Sequence, residues 1–166
     1  MSWCERRGLI LGLLALPACG FTPAYGPDGG MSALSGRIAL PEPRDKATFD
    51  LVARLEDRLG RAEAPLFRLE TTLRIRPLGL AITPEGAVTR YNLLGGADWR
   101  LVEAATGVER LAGRAESFTS YSTTSSTIAG ISAQEDAQVR LMRILADQIV
   151  TRLMAEAPRL TRLAGP

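Results

Sequence analysis

An α+β two-layer sandwich, in which a four-stranded sheet carries two helices on one face, is the fold this sequence predicts over residues 36–157. Three observations carry it. One segment, Phe67–Arg76, alternates apolar and charged residues cleanly, and two more long strand-like segments follow it across short turns. Two stretches with helical periodicity flank those strands, one before and one after. The chain has 166 residues and 46% apolar composition, enough for one domain with a real core. The sheet is expected to be largely an antiparallel meander with a short N-terminal strand added, its second face left polar.

The elements follow in order. GRIAL (Gly36–Leu40) is a short apolar segment halted by Pro41 and Pro43, which suits an edge strand. From Lys46 to Leu59 the period becomes helical, with Phe49, Val52, Leu55 and Leu59 three to four apart and Gly60 at the C-cap. Phe67–Arg76 reads as a half-buried strand closed by Pro77, and ITPEG (Ile82–Gly86) as a turn. Val88–Val102 keeps its apolar residues in odd register through Tyr91, Leu93, Ala97, Trp99 and Leu101, and Gly95-Gly96 suggests a bulge. AATG (Ala104–Gly107) turns the chain into a third long strand, Arg110–Tyr121. Ser132-Ala133-Gln134-Glu135 is a capping box opening a long helix with the stripe Val139, Met142, Leu145, Ile149 and Leu153. Pro158 is expected to end that helix, leaving 158–166 as a flexible tail.

Ahead of the domain the pattern changes. MSWCERR ends in two arginines, GLILGLLAL is too short to span a bilayer, and Leu16-Pro17-Ala18-Cys19 follows. This order resembles a bacterial lipoprotein signal, which needs a small residue before a thiol nucleophile that takes a diacylglyceryl group. Residues 1–18 are therefore expected to be removed and Cys19 to be lipidated. Residues 19–35, rich in Gly and Pro, would form the tether. Three acyl chains, at about 0.8 kcal/mol per buried CH₂, anchor a protein durably. Gly20 stands where an Asp would signal inner-membrane retention in many Gram-negative bacteria, so the outer membrane, periplasmic side, is the expected location.

Composition narrows the function. There is no histidine, which excludes a His general base, a Ser-His-Asp triad and His metal sites. The net charge of +2 is too small to imply nucleic acid. The hydroxyl-rich run Ser120–Thr127 has no general base beside it, and Glu135-Asp136 suits a helix start better than a paired-carboxylate site. No catalytic residue, metal or cofactor is expected. Loss of residues 1–18 removes Glu5, Arg6 and Arg7, which leaves 18 basic and 17 acidic side chains. Yet Arg68, Glu70, Arg74, Arg76, Arg90, Arg100, Arg110 and Arg114 all sit at even strand positions. The outer sheet face is therefore either a basic surface or an ordinary solvated one in an arginine-biased sequence.

CGFTPAYG after the lipobox, TRYNL opening the middle strand and LADQIVTRL in the last helix together resemble the LPS-assembly lipoprotein family, the LptE subunit of the lipopolysaccharide translocon. The resemblance implies a non-enzymatic partner of an LptD-type outer-membrane β-barrel, seated in its lumen, aiding its assembly and binding lipopolysaccharide directly. In that family, basic residues tied to lipopolysaccharide binding lie near the first hairpin tip and just before the last helix. Here the matching stretches, ITPEG and TIAGIS, carry no base. Arg90, near the tip, is the best substitute for phosphate binding, followed by Arg74, Arg76 and Arg100. An auxiliary lipoprotein of another, ABC-type, lipid transport system is the alternative.

Overall fold

The structure, a computed structural model, describes residues 34–82, 88–123 and 127–163. The leader, Cys19, the tether up to Ala33 and residues 83–87 of the first hairpin lie outside these. The elements run β1 (Ile38–Ala39), α1 (Lys46–Leu59), β2 (Phe67–Ile82), β3 (Val88–Glu103), β4 (Glu109–Ser122) and α2 (Thr127–Leu163). The sheet order is β1-β2-β3-β4, with β1 parallel to β2 and both other pairings antiparallel. The expected α+β sandwich is what forms.

The odd register of β2, β3 and β4 lies on one face because side chains alternate along a strand. Phe67, Leu69, Leu93, Ala97, Trp99, Leu101 and Ala115 are buried there, together with the apolar stripes of both helices. Asp45 caps α1 by accepting the Thr48 amide at 2.8 Å while the Thr48 hydroxyl accepts the Asp45 amide at 3.0 Å. Gly60 closes α1 at φ +75°, a conformation that favours glycine. Arg54 and Arg58 of α1 both reach Asp147 of α2, at 3.1 and 3.2 Å, which fixes the two helices side by side. Tyr91 and Tyr121 stack on the inner face, ring centres 5.3 Å apart.

Several local expectations yield to tertiary context. Phe49 is exposed, and the buried stripe of α1 is Leu51, Leu55 and Leu59, one face rotated from the predicted one. β2 does not stop at Pro77 but continues to Ile82. Proline is tolerated there because its missing N–H faces the open edge of the sheet. Gly95-Gly96 forms no bulge: pairing runs unbroken through both, and the irregularities fall at Gly79–Ile82 and Leu101–Val102. Gly95 is needed for space instead, since a Cβ there would lie 2.7 Å from Leu141 Cδ2. α2 begins at Thr127, a turn and more before the Ser132 box: no proline separates the two, and Gly130 between them is tolerated. It also passes through Pro158 to Leu163. The proline costs about 3 kcal/mol in a helix interior, and burial of Leu160 beyond it, worth about 1.5–3 kcal/mol, offsets that.

Candidate functional site

The outer sheet face collects the even residues of three strands, and register decides which charges meet there. Thr72 of β2 stands opposite Asp98 of β3, which stands opposite Arg114 of β4. Arg74, one pleat away, and Arg114 both pair with Asp98, Arg114 Nε at 2.6 Å. Arg114 also reaches Glu116 at 3.5 Å. One step toward the β1 end, Arg100 donates to Glu70 at 2.6 Å and Arg68 joins at 3.2 Å. Hydrogen bonds from Arg100 first, then Arg68, hold the Glu70 carboxyl below its ordinary range despite some desolvation. Asp98 is lowered likewise, chiefly by its hydrogen bond from Arg114, and the same bond raises Arg114.

This half of the face is therefore a charge-matched network and not a basic surface. Asp98 and Glu116 share the even register with the arginines, but only the cross-strand alignment shows that Asp98 sits between two of them. Arg74 and Arg100, two of the four candidate phosphate binders, already have carboxylate partners.

Toward the β2–β3 hairpin the face changes character. Arg76 aligns with Leu94 and Phe118, Leu78 with Asn92 and Ser120, and Arg90 with Ser122. Arg76 and Arg90 are exposed and make no ion pair with any described residue. Arg90 lies four residue steps before Leu94 on β3, a spacing of ~13 Å along the strand. Around them stand exposed apolar side chains: Leu78, Leu80 and Phe118, the last 58% exposed. Ile128 and Ile131, at the start of α2, are exposed too. They sit at this end because Thr123 bonds Thr89 at 3.0 Å and Gly130 packs beside Thr123. The corner thus combines two guanidinium groups that no described carboxylate engages with an apolar surface, the features an anionic amphiphile requires. Of the four arginines singled out from sequence, the structure leaves Arg76 and Arg90 available and engages the other two. The apolar half of the corner was missed because Leu78 and Leu80 lie beyond Pro77. Cys19 lies outside the described residues.

The charge network carries a pH signature. Glu70 and Asp98 have depressed values in the folded state, so their contribution to stability is present above the ordinary carboxylate range and lost as pH falls through the lowered values. Asp98→Asn is expected to flatten the fall of Tm between about pH 5 and pH 2, measured by circular dichroism; an unchanged slope would mean that Asp98 is not held by Arg74 and Arg114.

Solved structures share this architecture. A lipoprotein from Caulobacter crescentus CB15 aligns with TM-score 0.66 and 24% identity over 78% of this chain and 96% of its own. The rare lipoprotein B of Shewanella oneidensis aligns with TM-score 0.58 and 16% identity, over 75% and 96%. A minor lipoprotein of Acinetobacter baumannii aligns with TM-score 0.52 and 19% identity, over 72% and 90%. At these identities the likeness establishes the fold. No curated protein matches the sequence. Fold and face together define a small α+β domain with a polar outer sheet that ends in an amphipathic corner. The family model for LptE, lipopolysaccharide assembly, matches residues 36–153. The chain belongs to the LptE family and acts in lipopolysaccharide assembly at the outer membrane.

Proposed function

We propose that this protein is anchored through lipidated Cys19 to the periplasmic side of the outer membrane, serves as plug and assembly partner of an LptD-type β-barrel, and binds lipopolysaccharide as it enters the outer leaflet. The family match supports the setting. The observation that carries lipopolysaccharide binding is the corner where Arg76 and Arg90, without an ion pair to any described residue, stand among Leu78, Leu80 and Phe118. Guanidinium forks suit the phosphates of lipid A, and the leucines and phenylalanine suit its acyl chains. The charge-matched remainder of the outer face suits the polar lumen of a barrel, where a large apolar patch would be out of place.

Two measurements test the two halves. Binding of purified lipopolysaccharide to the full chain is expected to weaken tenfold or more in Arg76→Ala/Arg90→Ala. In Arg74→Ala/Arg100→Ala, whose side chains are already engaged, it is expected to change less than threefold. Equal losses in both pairs would remove the corner from the proposal. Depletion of the protein in its host is expected to lower the amount of correctly folded partner barrel and of surface lipopolysaccharide. Normal barrel assembly after depletion would refute the plug role.

A further inference from the structure

Register places a polar strip between the two arginines of the corner. On the outer face Arg76 lies in one row with Leu94 and Phe118. The next row toward the hairpin is Leu78, Asn92 and Ser120, and the row after it holds Arg90 and Ser122. The two arginines therefore bracket a row that carries an amide and a hydroxyl. Four residue steps along β3 and one strand across separate their backbones by ~14 Å. The carboxylates one and two rows back are already taken, Glu116 by Arg114 and Asp98 by Arg74 and Arg114.

Within the strip one hydrogen bond orients the polar groups. The Ser120 hydroxyl donates to Asn92 Oδ1 at 2.6 Å. Asn92 Nδ2 is left to donate outward, with no acceptor among the described residues. The Ser120 oxygen keeps its lone pairs for a donor from outside. Ser120 is exposed and Asn92 half-buried, on the same face as the arginines. An amide donor beside a hydroxyl acceptor suits a sugar hydroxyl, which both donates and accepts. Leu78, in the same row, and Phe118, in the row behind, add exposed apolar surface.

We propose that this corner reads lipid A at both ends of its disaccharide. Arg76 takes one phosphate, Arg90 the other, and Asn92 with Ser120 holds a sugar hydroxyl between them. This rests on the lipopolysaccharide reading above and names the groups that make it selective. A single phosphate is small against a ~14 Å separation, and drawing two like charges onto it leaves the amide and hydroxyl without a ligand. Two phosphates at opposite ends of a disaccharide match both the span and its polar middle. Phosphatidic acid, with one phosphate and no sugar, fills one end only.

The test measures binding of bisphosphoryl lipid A, monophosphoryl lipid A and phosphatidic acid to the full chain in one detergent. Wild type is expected to bind the bisphosphoryl form at least tenfold tighter than the monophosphoryl form. In Arg76→Ala and in Arg90→Ala that ratio is expected to fall below threefold, because one end has lost its partner. Asn92→Ala is expected to weaken both lipid A forms threefold or more and to leave phosphatidic acid unchanged. All three residues stand outside the core, so the variants should melt as wild type does. Equal binding of the two lipid A forms by wild type would overturn this inference and leave the lipopolysaccharide reading in place. So would a ratio that survives both arginine changes, or an Asn92→Ala loss that phosphatidic acid shares. Failure of both lipid A forms to bind wild type would overturn the two together.

Discussion

Gly95→Val is expected to lower the midpoint of thermal unfolding by ~10 °C or more. The backbone of Gly95 lies in the ordinary range, so conformation is not the obstacle. Space is: a Cβ would stand 2.7 Å from Leu141 Cδ2 and 3.0 Å from Leu141 Cγ. Leu141 is fully buried in the α2 stripe and cannot swing into solvent. Overpacking of a closed core costs about 1–3 kcal/mol, and valine adds two methyl groups to the clash. Native domains hold only about 5–15 kcal/mol in reserve. Gly96→Ala provides the contrast. Its Cβ meets nothing closer than Glu116 Cγ at 3.8 Å, on the outer face, and stability should hardly change. Leu141→Ala alone is expected to cost about 2–5 kcal/mol, but combined with Gly95→Val it should cost less than the sum of the two, because the cavity receives the valine. Urea unfolding of the four proteins gives the coupling directly. Additive costs, or a Gly95→Val protein as stable as wild type, would mean that α2 does not press on β3 at this point.

Cys19→Ser is the second change with a large expected effect, here on location and not on folding. On the proposal that the thiol carries the lipid, the serine protein should incorporate no labelled palmitate and should retain its leader. It should leave the outer-membrane fraction, since the anchor's many methylene groups, at about 0.8 kcal/mol each, are lost together. The domain should unfold as the wild type does, because the described core, from Leu34 to Leu160, is built without Cys19. Mass spectrometry of the purified protein decides: an unmodified Cys19 in wild type would end the anchoring proposal. Unchanged membrane association of Cys19→Ser would show that another contact holds the protein.

Much of the architecture was legible because a sheet with one wet face writes its period openly. Phe67 to Ile75 alternates at every position but the Thr71-Thr72 pair, and α1 ends at Gly60, whose capping chemistry is local. What failed depended on partners distant in sequence. The α1 segment fits two neighbouring stripes, one through Phe49 and Val52, the other through Leu51 and Leu55. Only the position of α2 selects the second. Pro77 and Pro158 are breakers by local rules, yet one faces an open edge and the other lies just before a buried leucine. The candidate site divides in the same way. Arginines at even positions were visible, but their neutralisation was not, because Arg74, Asp98 and Arg114 belong to three different strands. Arg76 and Arg90 emerge as the available pair only after that subtraction.

The pairing of β1 with the first two residues of β2 has a geometric outcome of its own. β1 stands at the pole where β2 starts, while the arginine and leucine corner occupies the pole where β2 ends. Roughly 15 residues of extended chain, up to ~50 Å, lie between them. The domain therefore behaves as a spacer. A hold at one end projects the other end a fixed depth away, and reach becomes a property of strand length that side-chain substitution cannot adjust.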